Sequence, residues 1–377
     1  MGVNAQAAGG ILTIDLGAVA ENYRTLAGMM AGSATAEHPA PLCAAAVKAD
    51  AYGLGVEHVG PVLEKAGCRH FFVAHLSEGV ALRPYLNPEM NIFVLHGPPP
   101  GTATEFLAHD LIPVLNSMEQ VAQWQALARR QERILPAVLQ VDSGMARFGF
   151  TAQEVDRLAR DATLLESIRT VLVMSHLACA DTPENPANRH QLETFRALAA
   201  KLPAAPRSLA ASSGLFLGPD WRFDLGRPGA ALYGVNPTPG RPNPMRDVIR
   251  LQANVIQTRD VPVGQAVGYG GMFVAKRPTR VALLGVGYGD GFLRRASGRG
   301  TAILPSRPEV KLPLIGRVSM DSLAVDVTDL GEMPLAAGEA FDLIGPYNPL
   351  EMAAEAAETI GYELLVDLGG RYLREWR

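Results

Sequence analysis

The sequence predicts an α/β barrel, TIM-like with a (β/α)8 plan, joined to a C-terminal β-rich domain. Three observations carry that prediction. Short apolar runs alternate with helix-period stretches through the first two thirds of the chain. A proline cluster, "NPTPGRPNPM", packs four prolines into residues 236–245. Beyond it, helical periodicity gives way to strand-like runs separated by turns.

The elements follow in order. "ILTID" opens as a strand, and "GAVAENYRTLAGMM" has the spacing of an amphipathic helix. Eight candidate strands come next: "LCAAAVK", "HFFVAH", "NIFVLHG", "LIPVLN", "PAVLQVDSG", "TVLVMSH", "RSLAASSG" and "GRPGAALYG". Helical stretches such as "GVEHVGPVLEKAG", "SMEQVAQWQALARRQ" and "ANRHQLETFRALAAKL" lie between them. A doubly wound open sheet has the same alternation, and the strand count does not separate the two. No G-x-G-x-x-G follows the first strand, and no Walker A lysine is present. From Leu251 onward, "LQANVIQT", "RVALLGVGYGDG", "KLPLIGRVSMDSLAVDVTD" and "AFDLIG" read as strands, interrupted by one helical stretch, "LEMAAEAAETI".

Composition narrows the function. The 377 residues are 48% apolar and 19% charged, enough to bury a sizeable core. A net charge of −4 supplies no field for nucleic acid. The opening "MGVNAQAAGG" lacks the basic and apolar regions of a secretory signal, and Gln6 argues against myristoylation. No apolar stretch approaches the roughly 18–20 residues that span a bilayer. Three widely spaced cysteines (Cys43, Cys68 and Cys179) suit a reducing compartment, so the expectation is a cytoplasmic protein.

In such barrels active sites gather at the C-terminal ends of the strands. Strand one ends in Lys48, with Tyr52 just beyond. Strand five runs into Asp142 and Arg147, strand six ends at His176, and strand seven leads into Ser212, Ser213 and Gly214. Strand eight begins with "GRPGA", which offers Arg227 and Gly229. Only five of the 34 basic residues are lysines, so a lysine where arginine would serve as a plain charge invites a chemical reason. A primary amine forms a Schiff base and a guanidinium does not. Ser213, Gly214 and Gly229 each read alone as turn chemistry. Together they suit the phosphate sites found after strands seven and eight. A reactive amine facing a phosphate site points to pyridoxal phosphate. His70 and His75 have no metal-ligand partner at suitable spacing, and neither H-E-x-x-H nor G-x-S-x-G occurs, so no metal is expected. "GVGYGDG" reads as a tight turn between strands.

"VKADAYGLG", "VDSGMARFGF", "GRPGAALYG", "VGYGGMFVAKRPTR", "GVGYGDGF", "GRVSMD" and "GYELL" closely resemble, in the same order and over essentially the whole chain, the motifs of alanine racemase. The resemblance implies a pyridoxal-phosphate enzyme that interconverts L- and D-alanine and supplies D-alanine for peptidoglycan. It implies a cytoplasmic head-to-tail homodimer, with a barrel whose mouth is completed by the partner's β domain. The division it implies is an N-terminal strand (1–15) joining the β domain, a barrel (16–243) and the β domain itself (244–377).

Carried over position by position, Lys48 matches the Schiff-base lysine. Tyr52, Ser213, Gly229, Ala230 and Tyr362 match the phosphate-binding set. Arg147 matches the residue that contacts the cofactor's phenolic oxygen and the substrate carboxylate. Arg227 matches the partner of the pyridine nitrogen, and His176 the residue bracing that arginine. Tyr269 matches the second catalytic base, and Met320 a backbone contact to substrate; both reach across the subunit interface. Asp181, Arg294 and Arg317 match residues of the access corridor.

The chemistry explains these residue types. Inverting Cα needs acid–base groups on two opposite faces, the roles implied for Lys48 and Tyr269. Arginine stays protonated, so Arg227 can only donate to the pyridine nitrogen and makes the ring a weaker electron sink. That favours racemisation over side reactions. Barrel-type decarboxylases resemble the chain in architecture but place glutamate there and use a C-terminal-domain cysteine, whereas this chain has no cysteine after Cys179. Carrier proteins of the same cofactor class have the barrel alone. A broad-specificity racemase is usually exported. Small tyrosine-walled space implies alanine as substrate, with serine next. One position departs from the pattern: Gln140 stands where many relatives carry a carbamylated lysine, and its amide oxygen is expected to orient Arg147 unmodified.

Overall fold

In the computed structural model residues 7–377 are described, so the readings made on residues 1–6 lie outside them. The chain divides into two compact units. One comprises the chain through Ala18, Tyr233–Val235 and Asp247–Arg377, and the other Val19–Leu232 and Asn236–Arg246. The strand β1 (Gly10–Ile14) belongs to the first unit.

The second unit is a closed parallel barrel. Its first strand is broken into β2 (Leu42–Cys43) and β3 (Ala45–Ala46). β4 (His70–Val73), β5 (Asn91–Val94), β6 (Leu111–Leu115), β7 (Leu135–Gln140), β8 (Ile168–Met174) and β9 (Arg207–Ser208) follow in spatial order, each parallel to its neighbour. β10 (Leu225–Gly226) closes the ring. It pairs in parallel with β2, and the N–H groups of Ala44 and Ala46 donate to Gly226 and Pro228. On its other side Asp224 and Arg227 donate to Arg207 and Ala210. The ring is filled by side chains from alternate strand positions, among them Phe72, Phe93, Val114, Val138 and Met174. Phe72 and Phe93 stack with centroids 4.7 Å apart.

Most helices stand where the apolar spacing puts them: Leu16–Ala31, Val56–Lys65, Met118–Arg130 and Pro186–Ala199. Met118–Arg130 begins at Ser117, whose hydroxyl accepts from the Gln120 N–H, and buries Val121, Trp124 and Leu127 at helical spacing. Strand eight is a correction. "GRPGAALYG" is not itself the strand, for the strand proper is Leu225–Gly226 and Ala230–Tyr233 forms a 3-10 turn. Pro228 has no N–H to continue a ladder, so Arg227 and Gly229 sit at the strand's exit rather than its start.

The first unit is an antiparallel barrel. β11 (Ile249–Val261) is long and register-shifted between Val255 and Gln257, where it faces β14 (Thr279–Leu284). That break lets one strand pair with β14 and also with β18 (Ala340–Ile344). The circuit is completed through β15 (Thr301–Ile303), β16 (Lys311–Ile315) and β17 (Leu323–Asp326). β1 pairs antiparallel with β11, and on its far side parallel with β19 (Leu373–Trp376), a strand the sequence reading did not include. The hairpin of β12 (Ala266–Val267) and β13 (Phe273–Val274) packs Val267 and Phe273 onto Val261, Val281, Ile315 and Ala324.

Candidate active site

Lys48 leaves the first barrel strand into an unusual turn. Ala49, Asp50, Ala51 and Tyr52 all take left-handed conformations, with φ between 51° and 56°. Each such residue costs about 1–2 kcal/mol in an L-amino-acid chain, so the run needs outside support. Ala51 and Gly55 N–H groups donate to Val47 and Asp50 carbonyls at 3.0 Å, and Asp50 Oδ1 accepts from Val56 at 2.7 Å. A further tie comes from the next strand's loop. Glu78 Oε1 accepts the Ala49 N–H at 2.7 Å, while its Oε2 accepts those of Ala74 (2.7 Å) and His75 (3.0 Å).

Around Lys48 the barrel mouth gathers positive charge. Burial pushes the Lys48 ammonium below its usual range, Arg147 pushes it further, and Glu78 opposes both. His176 is pushed down to about 3, first by burial and then by the charges of Arg227, Arg147 and Lys48. Arg227 is buried, and burial lowers its guanidinium to about 9, which still leaves it charged at neutral pH. Lys48, Arg147, His176 and Arg227 are thus brought together.

Arg227 is held from three sides. Its Nη1 donates to Ser208 Oγ, its Nη2 donates to the Ser175 carbonyl at 2.6 Å, and its Cζ lies 5.9 Å from the Phe72 ring centroid. The His176 ring makes no hydrogen bond to it among the described residues; the His176 carbonyl is held by Gln191 Nε2 at 3.0 Å.

On the strand-eight side, Ser212 Oγ accepts the N–H groups of Gly229 (3.0 Å) and Ala231 (3.1 Å). It organises the loop rather than offering itself. Ser213 opens the 3-10 turn Ser213–Phe216, and Ala230 opens the turn Ala230–Tyr233. A Cβ on Gly229 would collide with the Tyr52 hydroxyl, which fixes glycine there by close approach. Arg147 rides on a loop shaped by Asp142, whose Oδ1 accepts from Gly144, Met145 and Ala146 at 2.9–3.1 Å. Gln140 is buried at the end of β7, but it makes no hydrogen bond to Arg147 among the described residues; the guanidinium lies over Phe148 instead. Asp181 is exposed beyond His176.

The donor set fits a phosphate-bearing aldehyde. Lys48 is shifted toward the neutral, nucleophilic amine, two arginines supply countercharge, and the Tyr52 hydroxyl stands close against Gly229, where it can donate to an anion.

The other sequence-named residues lie in the antiparallel unit. Tyr269 stands at the hairpin tip, 70% exposed, between Gly268, Gly270 and Gly271, all at positive φ. Arg317 lies alongside Gly270. A cavity of about 150 Å³ beneath the hairpin is lined by Arg259, Gln265, Gly268, Arg317, Ser319 and Ser322. Met320 is exposed, and its carbonyl accepts the Gly289 N–H at 2.8 Å. Arg294 opens the turn Arg294–Ala296, and Tyr362 is exposed on the helix Gly361–Asp367.

Sequence reasoning missed Glu78, His96 and Phe148, and passed over His75 after finding no metal partner for it. The strand-end rule could have found both histidines, since "HFFVAH" and "NIFVLHG" each finish on one.

Comparison with known proteins agrees with this geometry. The family profile "Alanine racemase, N-terminal domain" matches residues 14–237, and "Alanine racemase, C-terminal domain" matches residues 248–376. An alanine racemase of Brucella canis is 48% identical, covering 98% of this chain and 93% of that protein. A protein of Agrobacterium fabrum named as a catabolic alanine racemase is 49% identical, with coverage of 98% and 94%. The crystal structure of alanine racemase from Bartonella henselae, with covalently bound pyridoxal phosphate, superposes with a TM-score of 0.91 at 40% identity, covering 98% of this chain and all of that one. With both family domains matched along nearly its whole length, the chain belongs to the alanine racemase family.

Proposed function

We propose that this enzyme interconverts L- and D-alanine with pyridoxal 5'-phosphate as cofactor. The observation that carries the reading is the depressed Lys48 amine, set among Arg147, Arg227 and His176 at the barrel mouth. When bound, the cofactor withdraws electrons from the amino acid's Cα and so makes its proton removable.

The chain's own residues do the rest. Lys48 holds the cofactor and then moves a proton on one face of Cα; Tyr269 of a second copy of the chain moves one on the other. Arg147 would contact the substrate carboxylate and the cofactor's phenolic oxygen. Arg227 would face the ring nitrogen and, charged at neutral pH, would only donate to it. His176 stays neutral beside Arg227 across the physiological range, adding no second cation. Tyr52, Ser213, Gly229 and Ala230 would receive the phosphate, the role the resemblance also gives to Tyr362. Met320 contributes a backbone contact to substrate across the interface, and Asp181, Arg294 and Arg317 line the access corridor. This reading divides the chain into 1–15 plus 244–377 as the β domain and 16–243 as the cofactor-binding barrel.

The homodimer is supported by Tyr269 and Met320, which expose 70% and 53% of their surface on one antiparallel unit. Among the described residues no helix is long and apolar enough to cross a membrane, and the three cysteines are free. We place the enzyme in the cytoplasm on the cysteines. D-Alanine for peptidoglycan is one use of the product; the catabolic name of the Agrobacterium fabrum relative supports the reverse use. Enantiomers have equal free energy in water, so flux sets the direction and the protein does not.

The test is racemisation of a panel of L-amino acids by purified protein, with and without added cofactor. Alanine is expected first and serine second. No D-alanine from L-alanine in the presence of cofactor would sink the reading. Comparable turnover of leucine and lysine would shift it to broad specificity.

A further inference from the structure

A row of rings at the barrel mouth takes no part in the reading above. Arg147 makes no ion pair and no hydrogen bond through its guanidinium among the described residues. Its Cζ lies 5.6 Å from the centroid of Phe148. Phe148 lies 5.1 Å from the His96 ring, tilted by 40°. His96 in turn meets His75 edge to face, 4.5 Å apart at 90°.

The far end of this row is anchored at the strand ends. His75 and His96 follow the adjacent parallel strands β4 and β5. The His96 N–H donates to the Ala74 carbonyl at 3.1 Å, and its carbonyl accepts from Gln120 Nε2 at 2.8 Å. The His75 N–H is fixed on Glu78. Phe148, by contrast, is 40% exposed on the loop that carries Arg147. A long guanidinium side chain on an exposed loop has many rotamers to lose, and a flat ring anchored from behind reduces them.

We propose that the row His75–His96–Phe148 positions Arg147, with His96 as the link between the strand ends and the loop. The proposal rests on Arg147 being the residue that receives the substrate carboxylate. The groups facing His96 are His75, Glu78, Lys48 and Arg147. Burial, then His75, keeps the imidazole toward its neutral form, with Glu78 opposing. The ring therefore supports Phe148 without setting another cation against Arg147.

The experiment compares His96→Ala and His96→Phe in the full-length enzyme. His96→Ala is expected to raise the KM for alanine about fivefold while kcat changes less, and to weaken propionate binding by a similar factor in calorimetry. His96→Phe keeps a ring and should restore both values. A readout independent of turnover is the His96 Cε1 proton in the cofactor-free protein. Its ring-current shift should collapse in Phe148→Leu. If His96→Ala does not fold, His75→Ala should still give a smaller KM increase. Unchanged KM and propionate affinity in His96→Ala, or a His96→Phe enzyme as impaired as the alanine variant, would overturn the proposal. A wild-type protein that does not racemise alanine would instead overturn the functional reading, leaving propionate binding and the proton shift to decide the ring row.

Discussion

Glu78 Oε1 lies 2.7 Å from the backbone nitrogen of Ala49, the residue that follows Lys48. One carboxylate thus ties the left-handed turn after the first strand to the loop after the second, and its charge holds the Lys48 pKa up against burial. Replacing it with glutamine leaves one acceptor oxygen for three N–H donors. A hydrogen bond to a charged group contributes about 1.5–3 kcal/mol, so Glu78→Gln should lower Tm by several degrees. The sign for Lys48 is definite: without the carboxylate its pKa falls further. In cofactor-free protein, the midpoint of the pH dependence of aldehyde capture should move to lower pH. An upward or absent movement would show that Glu78 does not act on the amine.

Lys48 is expected to be the cofactor's attachment point. The purified protein should be yellow, and borohydride should fix the cofactor on the peptide containing Lys48. Label on Lys65, Lys201, Lys276 or Lys311 would reassign the site. Lys48→Ala should reduce kcat by at least about a thousandfold, because both attachment and one proton-transfer group are lost.

Shared active sites make a complementation test decisive. Lys48→Ala and Tyr269→Ala homodimers should both be nearly inactive. After mixing and exchange, one of the two sites in each heterodimer carries neither lesion. About a quarter of wild-type activity should return, since random exchange makes half the dimers heterodimers. Demonstrated heterodimers with no recovery would place Tyr269 outside the partner's site.

Gln140 should matter little to Arg147. It forms no hydrogen bond with that guanidinium, and glutamine cannot form a carbamate. Gln140→Ala is expected to change the KM for alanine by less than about twofold, and bicarbonate should leave the native enzyme's rate unchanged. A large KM increase would return the orienting role to Gln140.

His176 should contribute to acid sensitivity. Its folded pKa of about 3 lies below the usual histidine value, so its contribution to stability is complete above that value. The contribution is lost as pH falls from about 6.5 toward 3, by at most a few kcal/mol at about 1.36 per pKa unit. Denaturant titrations across that window should show a shallower pH dependence for His176→Gln than for wild type. Parallel curves would mean that the imidazole is protonated in the folded state.

The alternation of apolar runs placed all eight barrel strands, seven of them directly, because a buried parallel strand must be apolar on both faces. The eighth was displaced by a few residues: "GRPGAALYG" is apolar enough for a strand, yet Pro228 forbids its ladder. Lys48, Tyr52, Arg147, His176, Arg227 and Gly229 were legible because strand ends are visible in a sequence and the motifs around them are specific. Ser213 was legible as a loop residue, but the neighbouring Ser212 proved to hold that loop together.

By itself, then, the sequence marked the barrel's strand ends and many of the side chains that stand there. Tertiary structure alone decided how they are held. The left-handed turn at Ala49–Tyr52 has no glycine to announce it, and part of its support comes from Glu78, 29 residues on in the chain. The rings of His75, His96 and Phe148 meet only because strand register brings three separate loops together. The antiparallel barrel closes because β11 shifts register midway and pairs on both sides, a property of the assembled sheet. Periodicity is a local quantity, set by which face a side chain points to. Contacts between loops depend on register, twist and closure, which arise only when all the strands are in place.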